Sequence, residues 1–275
     1  MGDPVAFLFM KNALFAGVLV SIACGVVGTL VVVNRMTFIA GGVAHAAYGG
    51  LGAAVYLGLP PTAGTLPVTL LSAWIMGIVT NGKNERADTV VGVLWAAGMA
   101  LGIILVDMTP GYQADLMSYL FGSIMVVSQH SLIVMGMLDT IILVAVIAFY
   151  KELLAVSYDE EFARVNGVPV TAIRYLLLCL IAFTVVMLIQ AVGLILVIAL
   201  FTIPASIAEL FSKNLRYLMI IATLSAMVIT VTGLVAAWYS NTPAGAMIII
   251  VACLMFGVSF LVRHFIRRKT STEPV

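Results

Sequence analysis

The sequence predicts an all-α, polytopic transmembrane helical bundle of eight or nine spans, and three observations carry that prediction. Of 275 residues, 63% are hydrophobic and only 9% charged, too apolar for a water-soluble domain. Apolar runs of about 20 residues, the length that crosses a bilayer as helix, recur along the chain. None alternates in polarity as a barrel strand would, and a helix satisfies its own backbone hydrogen bonds in lipid. No polar segment approaches the size of a soluble domain. Residues 1–268 therefore read as one membrane domain and 269–275 as a short polar tail.

Spans are expected at about 13–33, 37–58, 62–81, 89–107, 131–150, 171–190, 192–211, 215–239 and 244–264. Nine crossings place Arg35, Lys83, Arg86, Lys151, Arg164, Arg174, Lys213, Arg216, Arg263, Arg267, Arg268 and Lys269 on one side and only Lys11 on the other. Lysine and arginine mark the cytoplasmic side, so the C-terminus is expected inside. The N-terminus lacks a basic region before its first apolar run and is expected to be retained. Between Met108 and His130, Thr109-Pro110-Gly111 reads as a turn, and Ala114–Phe121 as a short re-entrant or interfacial helix stopped by Gly122. Cys24, Cys179 and Cys253 are scattered in apolar runs without disulfide or zinc spacing and read as small buried hydrophobes.

The second span is the richest. Gly42, His45, Gly49 and Gly52 fall on one helix face, where small residues admit a second backbone. His45 then lies in a tight seam. An ionisable group there costs a few kcal/mol and marks a pathway, or it hydrogen-bonds a carbonyl and joins two helices; both readings stand. Imidazole also ligates zinc, manganese and iron. Asp139, midway along the fifth span, is expected to face a cavity or a partner and is the natural companion of His45. Pro204 frees the Leu200 carbonyl and kinks the seventh span, as a gate or for packing, with Thr202 and Ser206 placed to restore the bonding. Glu209 reads as an interfacial carboxylate near Lys213. Asp107, Asp115 and His130 either shape the outer mouth or are solvated loop residues.

The charged patch from Lys151 to Arg174 has its own logic. Ser157-Tyr158-Asp159-Glu160 reads as a capping box, and Asp159, Glu160 and Glu161 load the positive end of a helix. Phe162 and Ala163 supply an apolar spot, Asn166-Gly167 the stop, and Pro169 bars a restart. Two turns are too short to stand alone. The acidic first turn disfavours a negative lipid surface, so a protein partner is expected.

Other chemistry is disfavoured. Gly77-Ile78-Val79-Thr80-Asn81-Gly82-Lys83-Asn84 nearly spells a phosphate loop but lacks the Ser/Thr that holds magnesium, so any ATP is hydrolysed by another chain. His45, His130 and His264 form no H-E-x-x-H, and no nucleic-acid partner is expected.

In its motifs the chain resembles the membrane permeases of the zinc/manganese/iron class of ABC importers. That family carries a G-D-A-x-S-H-A pattern after an Arg-Met pair. Here Arg35-Met36 precedes Gly41-Gly42-Val43-Ala44-His45-Ala46, with Gly42 in place of the family's Asp and Ala44 in place of its Ser. Ser118–Ile124, Ser157–Gly167, Val192–Val197 followed by Pro204-Ala205, and Pro243-Ala244-Gly245 extend the likeness in order. The resemblance implies a homodimeric permease of the prokaryotic plasma membrane, with alternating access. Its partners would be two cytosolic ATPase subunits and an extracytoplasmic metal-binding protein. No cofactor would be held permanently: a divalent metal, zinc before manganese or iron, would be substrate, and ATP would bind the partner. His45, with Asp139 as second ligand, would be the metal site. Residues 157–167 would form the coupling helix, touching the ATPase through Tyr158, Asp159, Glu160, Phe162, Ala163 and Gly167. The rival readings are a proton-coupled secondary transporter using His45 and Asp139, and an importer of a metal chelate.

Overall fold

The structure, a computed structural model, describes residues 8–81, 87–109 and 127–270. Among them are eleven helices and no strand: α1 (Leu8–Val33), α2 (Thr37–Tyr56), α3 (Pro61–Asn81), α4 (Ala87–Asp107), α5 (Gln129–Ala148), α6 (Tyr150–Tyr158), α7 (Glu160–Val165), α8 (Val170–Val192), α9 (Leu194–Phe211), α10 (Leu215–Ser240) and α11 (Ala244–Thr270). Eight are long and apolar enough to cross a bilayer; α9 is shorter, its apolar stretch Leu196–Phe211. At 1.5 Å per residue that stretch rises about 24 Å, below the ~30 Å hydrocarbon core.

Close contacts fix the helix directions. Gly49 lies on Gly98 and Gly52 on Gly102, so α2 and α4 run parallel. α3 returns antiparallel along α2, with Gly64 against Gly50 and Met76 against Gly42. α1 is antiparallel to α10, through Gly25 against Thr223 and a 3.3 Å contact from Ser21 Oγ to Thr230 Oγ1. Gly233 meets Ile248 at the antiparallel α10–α11 pair, and Ser225 of α10 approaches the Pro204 carbonyl of α9. α1 and α8 are mostly buried, whereas α4, α5 and α11 turn apolar faces outward. This order gathers the α1–α2 turn, α6, α7 and the α9–α10 loop at one end of the bundle. Arg35, Lys151, Arg164, Arg174, Lys213, Arg216 and Arg263 lie at that end and Lys11 at the other.

Local chemistry explains the breaks. α1 ends in a Schellman turn: Met36 N–H donates to Val31 O at 2.8 Å and Arg35 N–H to Val32 O at 3.0 Å, with Arg35 at φ 57°. Ser128 caps α5 by accepting from Ser131 N–H at 3.1 Å, and Gly193, at φ 77°, separates α8 from α9. α7 ends as expected, Gly167 (φ 80°) and Val168 donating to Arg164 O and Ala163 O.

Several expectations need correction. Residues 150–158 form an additional helix, α6, because no Gly or Pro stops the chain after the break at Phe149 and Leu153 is buried against the bundle. The cap of α7 is then Asp159, whose Oδ1 accepts from Phe162 N–H at 2.9 Å, while Ser157 Oγ accepts from Asn34 Nδ2 at 2.8 Å. Within the expected coupling segment, about 157–167, the helix itself is Glu160–Val165. α11 continues to Thr270, past the expected domain end at 268. Thr202 Oγ1 donates to Ile198 O at 2.8 Å rather than to the carbonyl that Pro204 frees.

The expectations at Lys83, Arg86, Asp115, Pro110–Gly122, Ser118–Ile124 and the last five residues lie outside the described residues.

A Cβ at Gly98 would stand 2.5 Å from Ala46 Cα, backbone that cannot yield without parting α2 from α4. Gly98→Ala is expected to lower stability by about 1–3 kcal/mol in detergent unfolding. Gly136→Ala, on α5 with open space around it, is expected to leave stability unchanged or slightly raised.

Candidate functional site

The α2–α4 seam positions His45. Two small-residue contacts lock the helices in register, and one turn further along the same faces the imidazole meets Trp95. The rings stack with centroids 3.8 Å apart and planes 26° from parallel. Phe38 lies beside Trp95 at 6.2 Å, and Ile198 of α9 closes over Gly41. His45 Nδ1 is 2.9 Å from the Gly41 carbonyl oxygen. A carbonyl only accepts, so Nδ1 carries the proton, and in the neutral ring Nε2 keeps its lone pair for a cation. The small-residue face expected from the sequence is therefore a backbone seam, and the imidazole is half-buried in it.

Gly42 is packed shut. A Cβ there would lie 2.5 Å from Val91 Cγ1 and 2.9 Å from Met76 Cε. Two apolar side-chain ends fill the position where the resembled family has its Asp, so a carboxylate there would have to displace both.

Asp139 is only 3% exposed, and neither carboxyl oxygen has a hydrogen-bond partner among the described residues. It lies on α5, which packs chiefly on α1 and α8, within electrostatic reach of Cys24. The structure does not bring Asp139 to His45, which faces α4 and α9. Among the described residues no three His, Cys, Asp or Glu side chains cluster as a metal cage.

The α7 knob is assembled from the bundle side. Glu160 is gripped by two guanidinium groups: Oε1 by Arg164 at 3.0 Å and Oε2 by Arg174 of α8 at 2.5 Å. The Tyr158 hydroxyl donates to the Lys213 carbonyl of the α9–α10 loop. Ala163, expected to touch the partner, is 0% exposed and faces the bundle, while Phe162 at 63% and Val165 at 87% project outward. Asp159 and Gly167 shape the two ends of α7. Glu209 does not reach Lys213 as an ion pair among the described residues; its carbonyl accepts from Arg263 Nη1 at 3.3 Å. Asp107 and His130 are exposed, and Pro204 lies inside α9.

Sequence reasoning missed Trp95, Val165 and Met76. Trp95, Gly98 and Gly102 repeat the spacing of His45, Gly49 and Gly52 to within one residue, a signal that would have paired the two helices and put Trp95 opposite His45.

An all-helical bundle with eight helices fit to cross a bilayer, a half-buried imidazole on a backbone seam and a braced apolar knob at its cation-rich end is the architecture of a polytopic membrane protein. The chain belongs to the ABC 3 transport family, which it matches over residues 6–263. It is 44% identical over 264 residues to an uncharacterized membrane protein of Synechocystis, covering 96% of this chain and 94% of that one. It is 29% identical over 256 residues to the manganese transport system membrane protein MntC of Halalkalibacterium halodurans, covering 93% and 88%. Among solved structures it is similar to PsaBC from Streptococcus pneumoniae in complex with Fab, at 31% identity and a TM-score of 0.84, over 92% of this chain and 91% of that one. The resemblance to ABC-importer membrane permeases read from the motifs is thereby borne out.

Gly42→Asp is expected to destabilise the chain by about 1–3 kcal/mol, because the carboxylate displaces Val91 and Met76. Combining it with Val91→Ala should recover part of that loss. Thermal unfolding in detergent checks both.

Proposed function

We propose that this chain is the membrane permease subunit of an ATP-driven importer for a divalent transition-metal ion. The observation that carries the reading is the family match over nearly the whole chain. His45 is the pathway ligand through Nε2, and Nδ1 is committed to Gly41 O. Asp139, held against α1, is not its co-ligand. The sequence put zinc first, but relatives named for manganese move manganese ahead, with zinc and iron as competitors. Two copies flank the pathway, two ATPase subunits grip α7, and an extracytoplasmic binding protein delivers the ion. The cation-rich end and the C-terminus are cytoplasmic, by the charge bias. ATP binding pushes on Phe162 and Val165, the knob transmits the push through Glu160–Arg174 to α8, and Pro204 lets α9 bend.

The test is metal-stimulated ATP hydrolysis and metal uptake by the complex reconstituted in vesicles, with manganese, zinc and iron in competition. Uptake that persists without the ATPase and collapses with the proton gradient would favour the secondary-transporter rival and overturn this reading. His45→Ala is expected to lower metal uptake by at least about tenfold; wild-type uptake would remove His45 as ligand. Phe162→Ala with Val165→Ser is expected to leave folding within about 0.5 kcal/mol while weakening ATPase association and uptake together. Pull-down and uptake assays on the same preparation read both effects.

A further inference from the structure

A cavity at the cation-rich end borders the Glu160–Arg174 pair, and the transport reading assigns the cavity itself no role. It holds about 330 Å³ between the α1–α2 turn, α6 and the start of α8. Buried Leu153, Ile173 and Leu177 form its apolar side, and Asn34, Arg35, Ser157, Glu160 and Arg174 its polar side. Both oxygens of its one carboxylate, Glu160, are occupied by Arg164 and Arg174. The Asn34 amide is spent on Leu30 O and Ser157 Oγ, each at 2.8 Å. Ser157 accepts in that bond, so its hydroxyl proton remains to be donated. Arg35 forms no ion pair or side-chain hydrogen bond among the described residues. The lining thus carries a surplus positive charge and uncommitted donors.

The backbone of Arg35 points the same way. It occupies the left-handed position that closes the α1 Schellman turn, at φ 57°, where glycine is the usual residue. A long cationic side chain is kept where the backbone alone favours none.

We propose that this cavity binds a phosphate-bearing anion, either the headgroup of an anionic lipid or soluble phosphate, with Arg35 as principal ligand and Ser157 as second donor. The forked guanidinium matches phosphate oxygens, and a phosphate has enough acceptors to engage Arg35 and Ser157 together. Basic pockets between membrane helices near the interface take anionic headgroups, and the apolar wall here suits the glycerol and first acyl carbons. The proposal does not depend on transport; a chain that moved no metal would still bind the anion.

The test uses the purified full chain. Native mass spectrometry measures retention of phosphatidylglycerol against phosphatidylcholine, and thermal shift measures binding of inorganic phosphate against acetate. Arg35→Gly removes the charge while giving the turn its preferred residue, so it folds; Lys213→Gln removes a charge at the same end outside the cavity. Binding of phosphatidylglycerol at least about tenfold weaker in Arg35→Gly, and unchanged in Lys213→Gln, supports the headgroup. The same variant pattern for inorganic phosphate alone supports the soluble source. Equal binding by Arg35→Gly and the unaltered chain, acetate matching phosphate, or no binding of either probe would overturn the proposal.

Discussion

The approach of α2 to α4 at backbone distance is the constraint from which the candidate site follows. Between helices in lipid there is little hydrophobic drive, so close packing decides which faces meet and in what register. Gly49 against Gly98 and Gly52 against Gly102 leave no alternative register, because any side chain at these positions would strike the opposing main chain. Once they are set, His45 one turn away has only the face of Trp95 to lie on. The same helix offers the Gly41 carbonyl one turn back, which takes the Nδ1 proton and fixes the tautomer. A choice of small residues thus ends, two steps later, as a lone pair at a defined ring nitrogen.

At the other functional locus electrostatics replaces backbone packing. Six residues are far too few for a stable isolated helix. α7 persists because Asp159 caps its start, Gly167 closes its end, Ala163 is buried beneath it and Glu160 is clamped to α8 through Arg174. Those contacts face the bundle, which frees Phe162 and Val165 to face outward on a braced support. The knob is also tied in two directions. Arg174 leads into α8, and Tyr158 leads through the Lys213 carbonyl to the loop between α9 and α10. A push on α7 therefore reaches two parts of the bundle at once.

The fold was legible because a bilayer leaves few choices: apolar length and lysine/arginine bias marked the spans and the shared end of the cations. The second-span stripe was legible too, since small residues at helical spacing have one physical use. What the sequence hid depends on neighbours distant in the chain. α6 was masked because its charged residues read as loop. Ala163 looked available because nothing in its local sequence shows that it faces inward. Asp139 looked like a partner of His45 because both are ionisable groups in apolar spans, and only the packing of α5 on α1 separates them. Gly42 could be read as a missing carboxylate, but not as a position already filled from α3 and α4.

The filling of Gly42 bears on what kind of site the seam can be. A carboxylate beside His45 would add charge and affinity, and it would require Val91 and Met76 to withdraw, loosening the α2–α3–α4 contacts that hold His45 in place. The chain keeps the packing and forgoes the charge. An ion meeting one imidazole nitrogen retains most of its other ligands as water and is held briefly, which suits passage better than storage, since conduction needs release as much as capture. Asp139 does not redress this. Among the described residues its oxygens lack hydrogen-bond partners, and it lies within electrostatic reach of Cys24, so whatever its burial costs is borne at the α1–α5 contact and not recovered at the seam. On the proposed reading, affinity for the ion then resides mainly in the delivering protein, and this chain supplies a geometrically fixed, weakly holding step on the way through.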